Sequence, residues 1–273
     1  MVAAPLATMR QYPGPIVIFS PADDAHAVVV SDWLRARGQP VHLLDTRTFP
    51  RGASVTLCEE LDQLEVDGVR IHPSSAYIRV HGPYVVTTIL NRWDAVGVPI
   101  YNAPAAALRT TPPYQLGLLA AARVPVPRTR WTNDPATLRS SRETFHAAGT
   151  GTELRPLECV QQQLTGDVHQ VYVVDGHVVA SEPSPLSDAM RRICVRAANV
   201  LGLRFARVEL RSDDHGLQHV VELDAFPSFL DAGQEASTAV LDALCGALAR
   251  PFIAATVAAD EPATTRGRKR SPT

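Results

Sequence analysis

Hydrophobic runs of four or five residues alternate with helical patterns in the first hundred positions. Ile16-Val17-Ile18-Phe19 is a continuous apolar run, the pattern of a strand covered on both faces. Between Asp23 and Arg37, Ala25, Val28, Val29, Trp33 and Leu34 fall near helical spacing, with Asp23 or Asp24 as N-cap and Gly38 at the C-terminal cap. Pro40 to Leu44 reads as a second strand, so the opening is a βαβ unit with parallel strands. A hairpin-like passage follows, with strands at Val55 to Cys58 and Gly68 to Ile71, then a strand at Ala76 to Val80, a helix at Tyr84 to Ala95 and a short strand at Val98 to Tyr101.

Helical segments broken by Pro112 and Pro113 fill residues 103–122, and Val124-Pro125-Val126-Pro127 is extended because proline restricts itself and the residue before it. Asp134 to Ala148 has a helical pattern with Pro135 in its first turn. His169 to Val174 and His177 to Ala180 form a hairpin around Asp175-Gly176, which suits a two-residue type I′ turn. A helix from Ser187 to Leu201, with Met190, Ile193, Cys194, Ala197 and Leu201 on one side, stops at Gly202. A second hairpin runs from Phe205 to Leu210 and returns from His219 to Asp224 through Asp213-Asp214-His215-Gly216. A last helix covers Glu235 to Ala249, and the chain from Asp260 onward is expected to be disordered.

The second hairpin carries the most chemistry. With its turn centred between His215 and Gly216, Val208 and Leu210 face Leu223 and Val221 on a buried side, while Glu209 faces Glu222 and Arg207 faces Asp224 on the other. Directly opposed glutamates repel unless a cation compensates. Glu209, Glu222 and Asp224 are therefore candidate ligands for a hard cation such as magnesium, which takes oxygen donors. The alternative is a solvated strand face whose acids are neutralised by Arg207 and Arg211.

Composition narrows the field. Apolar residues make up 45% and charged residues 20% of the 273 positions, so a folded core is expected. A net charge of −2 supplies no field for nucleic acid or anionic lipid. No apolar run approaches the length of about 20 residues that a bilayer needs, and no signal-like segment opens the chain, so a cytoplasmic protein without membrane partners is expected. Cys58, Cys159, Cys194 and Cys245 are widely spaced and read as buried small hydrophobes. Motifs of the G-x-S-x-G, G-x-G-x-x-G and Walker type are absent. Lys269 is the only lysine, which excludes a mechanism that needs a lysine in the folded body.

Phe205 to Leu210, Asp214-His215-Gly216 and Val220 to Phe229 resemble the carboxy-terminal core of ATP-grasp ligases, where a strand ending in an acid precedes a turn and a Glu-x-Asn motif. Glu209 matches the first acid, Glu222 the second and Asp224 the asparagine. Ala22 to Asp45 with Phe49-Pro50 is similar to the amino-terminal domain of the RimK-like branch, the peptide-modifying and ribosomal-protein glutamate ligases. Tyr101-Asn102, Val126 to Thr129 and Gln161 to Ala180 resemble later parts of that branch.

The resemblance implies an α/β, ATP-grasp-like fold. A small N-terminal α/β domain spans residues 1–102 and an α+β nucleotide-site domain with a reduced central lobe spans 103–259, followed by a disordered basic tail at 260–273. It implies ATP and Mg2+ as cofactors, with Arg155, Leu157, Val173 and Val179 beside the nucleotide and Arg207 and Arg211 as candidate catalytic cations. The family's two nucleotide-gripping lysines have no counterpart here, and only Gly149-Thr150-Gly151-Thr152 stands where a glycine-rich lid would be. Positioned cations stabilise the charge that develops on phosphate oxygens, so their loss argues for weakened or lost catalysis. The expectation is a binding or accessory module in peptide or small-molecule modification, working with a small-molecule or peptide substrate or a partner ligase. The alternatives are an active Mg-ATP ligase that forms an amide or ester through an acyl phosphate, with arginines replacing the lysines, and a plain small-molecule-binding α/β protein.

Overall fold

A computed structural model describes residues 10–12, 14–80, 83–132, 145–147, 158–250 and 252–254, with backbone only at 10–12, 145–147, 158–160 and 252–254. Strand β1 (Arg10–Tyr12) pairs antiparallel with the last strand, β16 (Phe252–Ala254), joining the two ends of the described chain. Neither strand is legible in the sequence pattern.

The predicted βαβ opening is present. Strands β2 (Ile16–Ser20) and β3 (Val41–Asp45) flank helix α1 (Ala25–Ala36). The Asp24 side chain accepts the Ala27 N–H at 2.8 Å at the start of α1, and Gly38 turns the chain at φ 73° beyond its end. With β7 (Ser75–Ile78) and β8 (Ile100–Tyr101) they form a parallel sheet of order β3-β2-β7-β8. All five residues of β2 are buried, as its unbroken apolar run requires. Helix α2 (Tyr84–Ala95) buries Val86, Ile89, Leu90 and Trp93 against Phe19 and Ile78 of this sheet.

The hairpin-like passage holds three strands rather than two: β4 (Val55–Leu57), β5 (Leu64–Val66) and β6 (Val69–Ile71). The missed strand β5 is joined to β6 by Asp67-Gly68, both at positive φ, which is the geometry of a type I′ turn.

Helices α3 (Pro104–Leu108) and α4 (Pro112–Ala121) have prolines in their first turns, where the missing N–H costs nothing. Residues 129–132, 145–147 and 158–162 form a three-stranded sheet of β9 (Thr129–Thr132), β10 (Phe145–Ala147) and β11 (Glu158–Gln162), in the order β10-β11-β9. The helix expected at 134–148 is therefore wrong at its end, since residues 145–147 pair as a strand with β11. Pairing across the sheet outweighs local helical patterning there. The remainder of that helix and the tail at 260–273 lie outside the described residues.

The second large sheet has the order β13-β12-β14-β15, all antiparallel. It consists of β12 (Val168–Val174), β13 (His177–Glu182), β14 (Phe205–Ser212) and β15 (Gln218–Asp224). Helix α5 (Asp188–Leu201) starts on the Ser187 cap, ends at Gly202 in the left-handed conformation and buries Met190, Cys194, Ala197 and Leu201 on one face of this sheet. Helix α6 (Gln234–Leu248) covers part of the other face.

One apolar cluster joins Ile16, Ile18 and Tyr77 of the first sheet to Tyr172, Phe205, Phe229 and Leu244 of the second half. Burial pushes the Cys194 and Cys245 thiols up to about 12, in keeping with inert core residues, while Cys58 is only half-buried.

Gly14 packs against the turn before β7, and a Cβ at that position would lie 1.5 Å from the His72 carbonyl oxygen. Gly14→Ala is expected to destabilise the protein by about 1–3 kcal/mol, because the contact is with backbone and cannot be relieved by a rotamer change. Urea unfolding of the variant against the wild type measures this.

Candidate functional site

The predicted acid face exists. Glu209 pairs with Glu222 and Arg207 with Asp224 across β14 and β15. A bulge between Glu209 and Leu210 then shifts the register, so Leu210 pairs with Val220 and not with Val221. Val220 is the buried residue and Val221 is half-buried, which corrects the expected apolar side at that one position.

Pairing of the two hairpins extends the face beyond what one hairpin reveals. Gln170 of β12 partners both Glu209 of β14 and Glu182 of β13, giving a row Glu182, Gln170, Glu209, Glu222 across four strands. The neighbouring row is Ala180, Tyr172, Arg207, Asp224. Glu182 and Gln170 were not legible as site residues, because nothing in the local pattern says which hairpin lies beside which.

The acids are largely engaged by the protein itself. Arg211 Nε donates to Glu209 Oε1 at 3.0 Å, and Arg207 Nη2 lies 3.7 Å from Asp224 Oδ2. Asp224 Oδ1 also accepts the Phe226 N–H at 2.8 Å, and Glu182 Oε1 accepts the Gly233 N–H at 2.6 Å. Glu222 is exposed. Each pair sits at the margin of solvent, where an ion pair contributes about 1 kcal/mol or less. Their effect is therefore on side-chain placement more than on stability.

The donor set suits a hard cation in kind, being all oxygen, but not in arrangement. Glu209 is turned to Arg211 and Asp224 to Arg207, and among the described residues no three His, Cys, Asp or Glu side chains are grouped to hold a metal ion.

Two of the expected nucleotide-side residues can be placed. Val173 is completely buried under α5 with Val171, Ala206 and Val208, on the face opposite the acids, so it cannot form a wall beside them. The strand alternation that puts Tyr172 on the acid side puts Val173 on the other. Val179 packs with the cluster around Tyr172 and Phe229, and lines a cavity of about 550 Å³ together with Glu182, Arg191, Gly233 and Glu235. Arg155, Leu157 and the Gly149–Thr152 stretch lie outside the described residues.

Residues from the first half of the chain fix the loop that leaves β15. Arg79, 8% exposed, donates to the carbonyl oxygens of Phe226 at 3.0 Å and Pro227 at 2.9 Å, and its Nε reaches Asp24 Oδ1 at 3.3 Å. Asn102 is buried and forms four hydrogen bonds. Its Nδ2 donates to the carbonyls of Phe205 and Ala225, and its Oδ1 accepts the N–H groups of Arg204 and Phe205 at 2.8 and 3.0 Å. Gln115 of α4 treats the outer edge of β15 in the same way, donating to the Leu223 carbonyl at 2.8 Å and accepting the Leu223 N–H at 3.2 Å. The face of acids and arginines is thus carried on a sheet pinned at both its start and its end.

No family model and no curated protein matches the chain. Among solved structures, the ATP-grasp ligase PsnB complexed with a minimal precursor, Mg and ADP is 30% identical, with a TM-score of 0.76 over 85% of this chain and 96% of that one. PsnB complexed with the precursor peptide PsnA2 and AMPPNP gives 29% identity and a TM-score of 0.77 over 88% and 98%. The macrocyclase MdnB from Microcystis aeruginosa MRC shares the fold at 17% identity, with a TM-score of 0.63 over 84% of this chain and 99% of that one.

Proposed function

Because this chain belongs to the ATP-grasp ligases, in their peptide-modifying branch, we propose that it is a peptide-binding member of that lineage whose ligation chemistry is weakened or lost. The observation that carries this reading is the self-neutralised acid face. Glu209 and Asp224, the positions that resemble the family's metal ligands, are paired with Arg211 and Arg207. A cation entering there would first have to displace two guanidinium groups. The lack of any lysine before Lys269 supports the same conclusion, since phosphate oxygens that gain charge in a transition state need fixed cations nearby. A peptide ligand is supported by the relatives, which are complexed with precursor peptides. Among the described residues no helix is long and apolar enough to cross a membrane.

Calorimetry with ATP in magnesium and in EDTA tests the nucleotide half of the proposal. The expected result is no gain in affinity from magnesium, and no peptide-dependent ADP release in a coupled assay. ADP production that needs a peptide and disappears in Glu222→Ala would overturn it. That outcome belongs to a second reading, an active Mg-ATP ligase with arginines in place of lysines, which is favoured by the three carboxylates sharing one sheet face at partnered positions.

A further inference from the structure

Arg79 holds the first two residues of the loop leaving β15, and one imidazole holds the next three against the first half of the chain. His26, in the first turn of α1, receives the N–H of Phe229 at 3.2 Å and of Leu230 at 3.3 Å on its Nε2, and the Ser228 hydroxyl oxygen lies 3.2 Å from the same nitrogen. Two amide donors on one ring nitrogen define its state, because an N–H cannot accept from another N–H. Nε2 therefore carries the lone pair. The proton of the neutral ring sits on Nδ1, which faces Asp24 Oδ1 at 3.9 Å. The Phe229 ring packs edge-on against the imidazole with centroids 4.8 Å apart, so the ring is enclosed as well as bonded.

We propose that His26 is a proton-controlled latch: when neutral it holds residues 228–230 on α1, and when protonated it releases the Phe229 and Leu230 amides, loosening the loop beyond the part that Arg79 holds and so the support of the strand that carries Glu222 and Asp224. The inference rests on the fold and the hydrogen bonds alone, and holds whether or not the chain turns over ATP. A second proton on the ring converts two attractive amide contacts into two opposed N–H groups. Ser228 Oγ, whose own hydrogen goes to Asp231, is the acceptor within reach of the new N–H, so the ring turns from Phe229 and Leu230 to Ser228 and the two amides are freed. Release would be felt at the acid face because Asp224 caps the Phe226 N–H, the first amide of the same loop.

The charged groups around the ring act in both directions. Asp24 in the same turn and Asp231 in the loop favour the imidazolium, while burial and Arg79 of the neighbouring strand end oppose it. Arg79 also takes up part of the Asp24 charge through its own contact at 3.3 Å. The balance lies below the ordinary histidine value of 6.5, with burial as the largest cause and Arg79 next. A group whose pKa is lowered by folding contributes stability that is complete above its unfolded value. That contribution is lost as the pH falls from 6.5 toward the lowered value.

Amide hydrogen exchange at Phe229 and Leu230, corrected for the intrinsic chemical rate and referenced to core amides of β12 and β14, tests the latch. Protection of the two loop amides is expected to fall about tenfold or more between pH about 7.5 and about 5 while the reference amides stay protected. His26→Gln keeps an acceptor oxygen but cannot be protonated, and should abolish the pH dependence. Unchanged loop protection across that range in the wild type, or the same loss in His26→Gln, would overturn the proposal. If the variant does not fold, an NMR titration of the wild-type ring decides the matter. A neutral ring protonated on Nδ1 that titrates below 6.5 is expected, and protonation on Nε2 or titration above 6.5 refutes the latch.

Discussion

Asn102→Ala is expected to cost about 3–5 kcal/mol. Four backbone groups, the N–H of Arg204 and Phe205 and the C=O of Phe205 and Ala225, depend on this one buried amide. Alanine leaves them without partners in a site too enclosed for free solvation, and a buried unsatisfied polar group costs about 1–3 kcal/mol. The sum is less than fourfold that figure because the loop can relax and admit water. Urea unfolding of the variant measures the loss. A change below about 1 kcal/mol would mean that water replaces the amide at little cost.

The second large effect concerns the acid face. Removing both guanidinium groups in Arg207→Ala/Arg211→Ala leaves Glu209, Glu222 and Asp224 on one side of the sheet, with Glu209 and Glu222 directly opposed. Without a cation the double variant should lose about 1 kcal/mol, since the exposed pairs are weak and like charges on opposed strands repel by a similar amount. With magnesium present it should gain affinity for the ion by about tenfold or more over the wild type, and recover its thermal stability, because ligand binding to the native state alone raises the apparent stability. Calorimetry and thermal melts with and without magnesium read both effects. A double variant that binds magnesium no better than the wild type would show that the three carboxylates cannot converge. The Arg207 and Arg211 pairings would then not be what limits cation binding.

The main elements were legible because each is locally over-determined. The unbroken apolar run of β2, the Asp24 cap and Gly38 stop of α1, the Asp175-Gly176 turn and the Ser187 to Gly202 boundaries of α5 each combine pattern with end signals, and each lies within a residue or two of its expected place. Elements that owe their existence to distant partners were not legible. Strand β10 pairs with β11 across a long connection, and β1 pairs with β16 from opposite ends of the chain. The bulge after Glu209 is equally silent in sequence, although it decides that Val220 and not Val221 is buried.

For the site, the opposition of Glu209 to Glu222 follows from the turn and the alternation within one hairpin, and the two residues are paired in the sheet. Glu182, Gln170, His26 and Arg79 join the site only through the packing of one element on another. Residues so assembled leave a single signal in the sequence, a polar side chain in an otherwise apolar segment, as Arg79 is after Ala76-Tyr77-Ile78. Val173 fails as a wall for the opposite reason. It lies in the correct strand, but one step of alternation places it under α5.

Gln115 gives the second sheet a terminator. By occupying both backbone groups of Leu223 with its own side-chain amide, it imitates the next strand over a single residue and then ends, since it belongs to a helix and can propagate nothing. The Val220 N–H is likewise consumed, by the Pro125 carbonyl at 2.8 Å. A strand from a second molecule that approached this margin would find its two innermost docking points already taken. The side of the sheet nearest the exposed Glu222 is therefore closed to the edge-to-edge stacking that turns stray β-sheets into aggregates, by a backbone block that adds to the charges of Glu222 and Asp224 and needs no proline in β15.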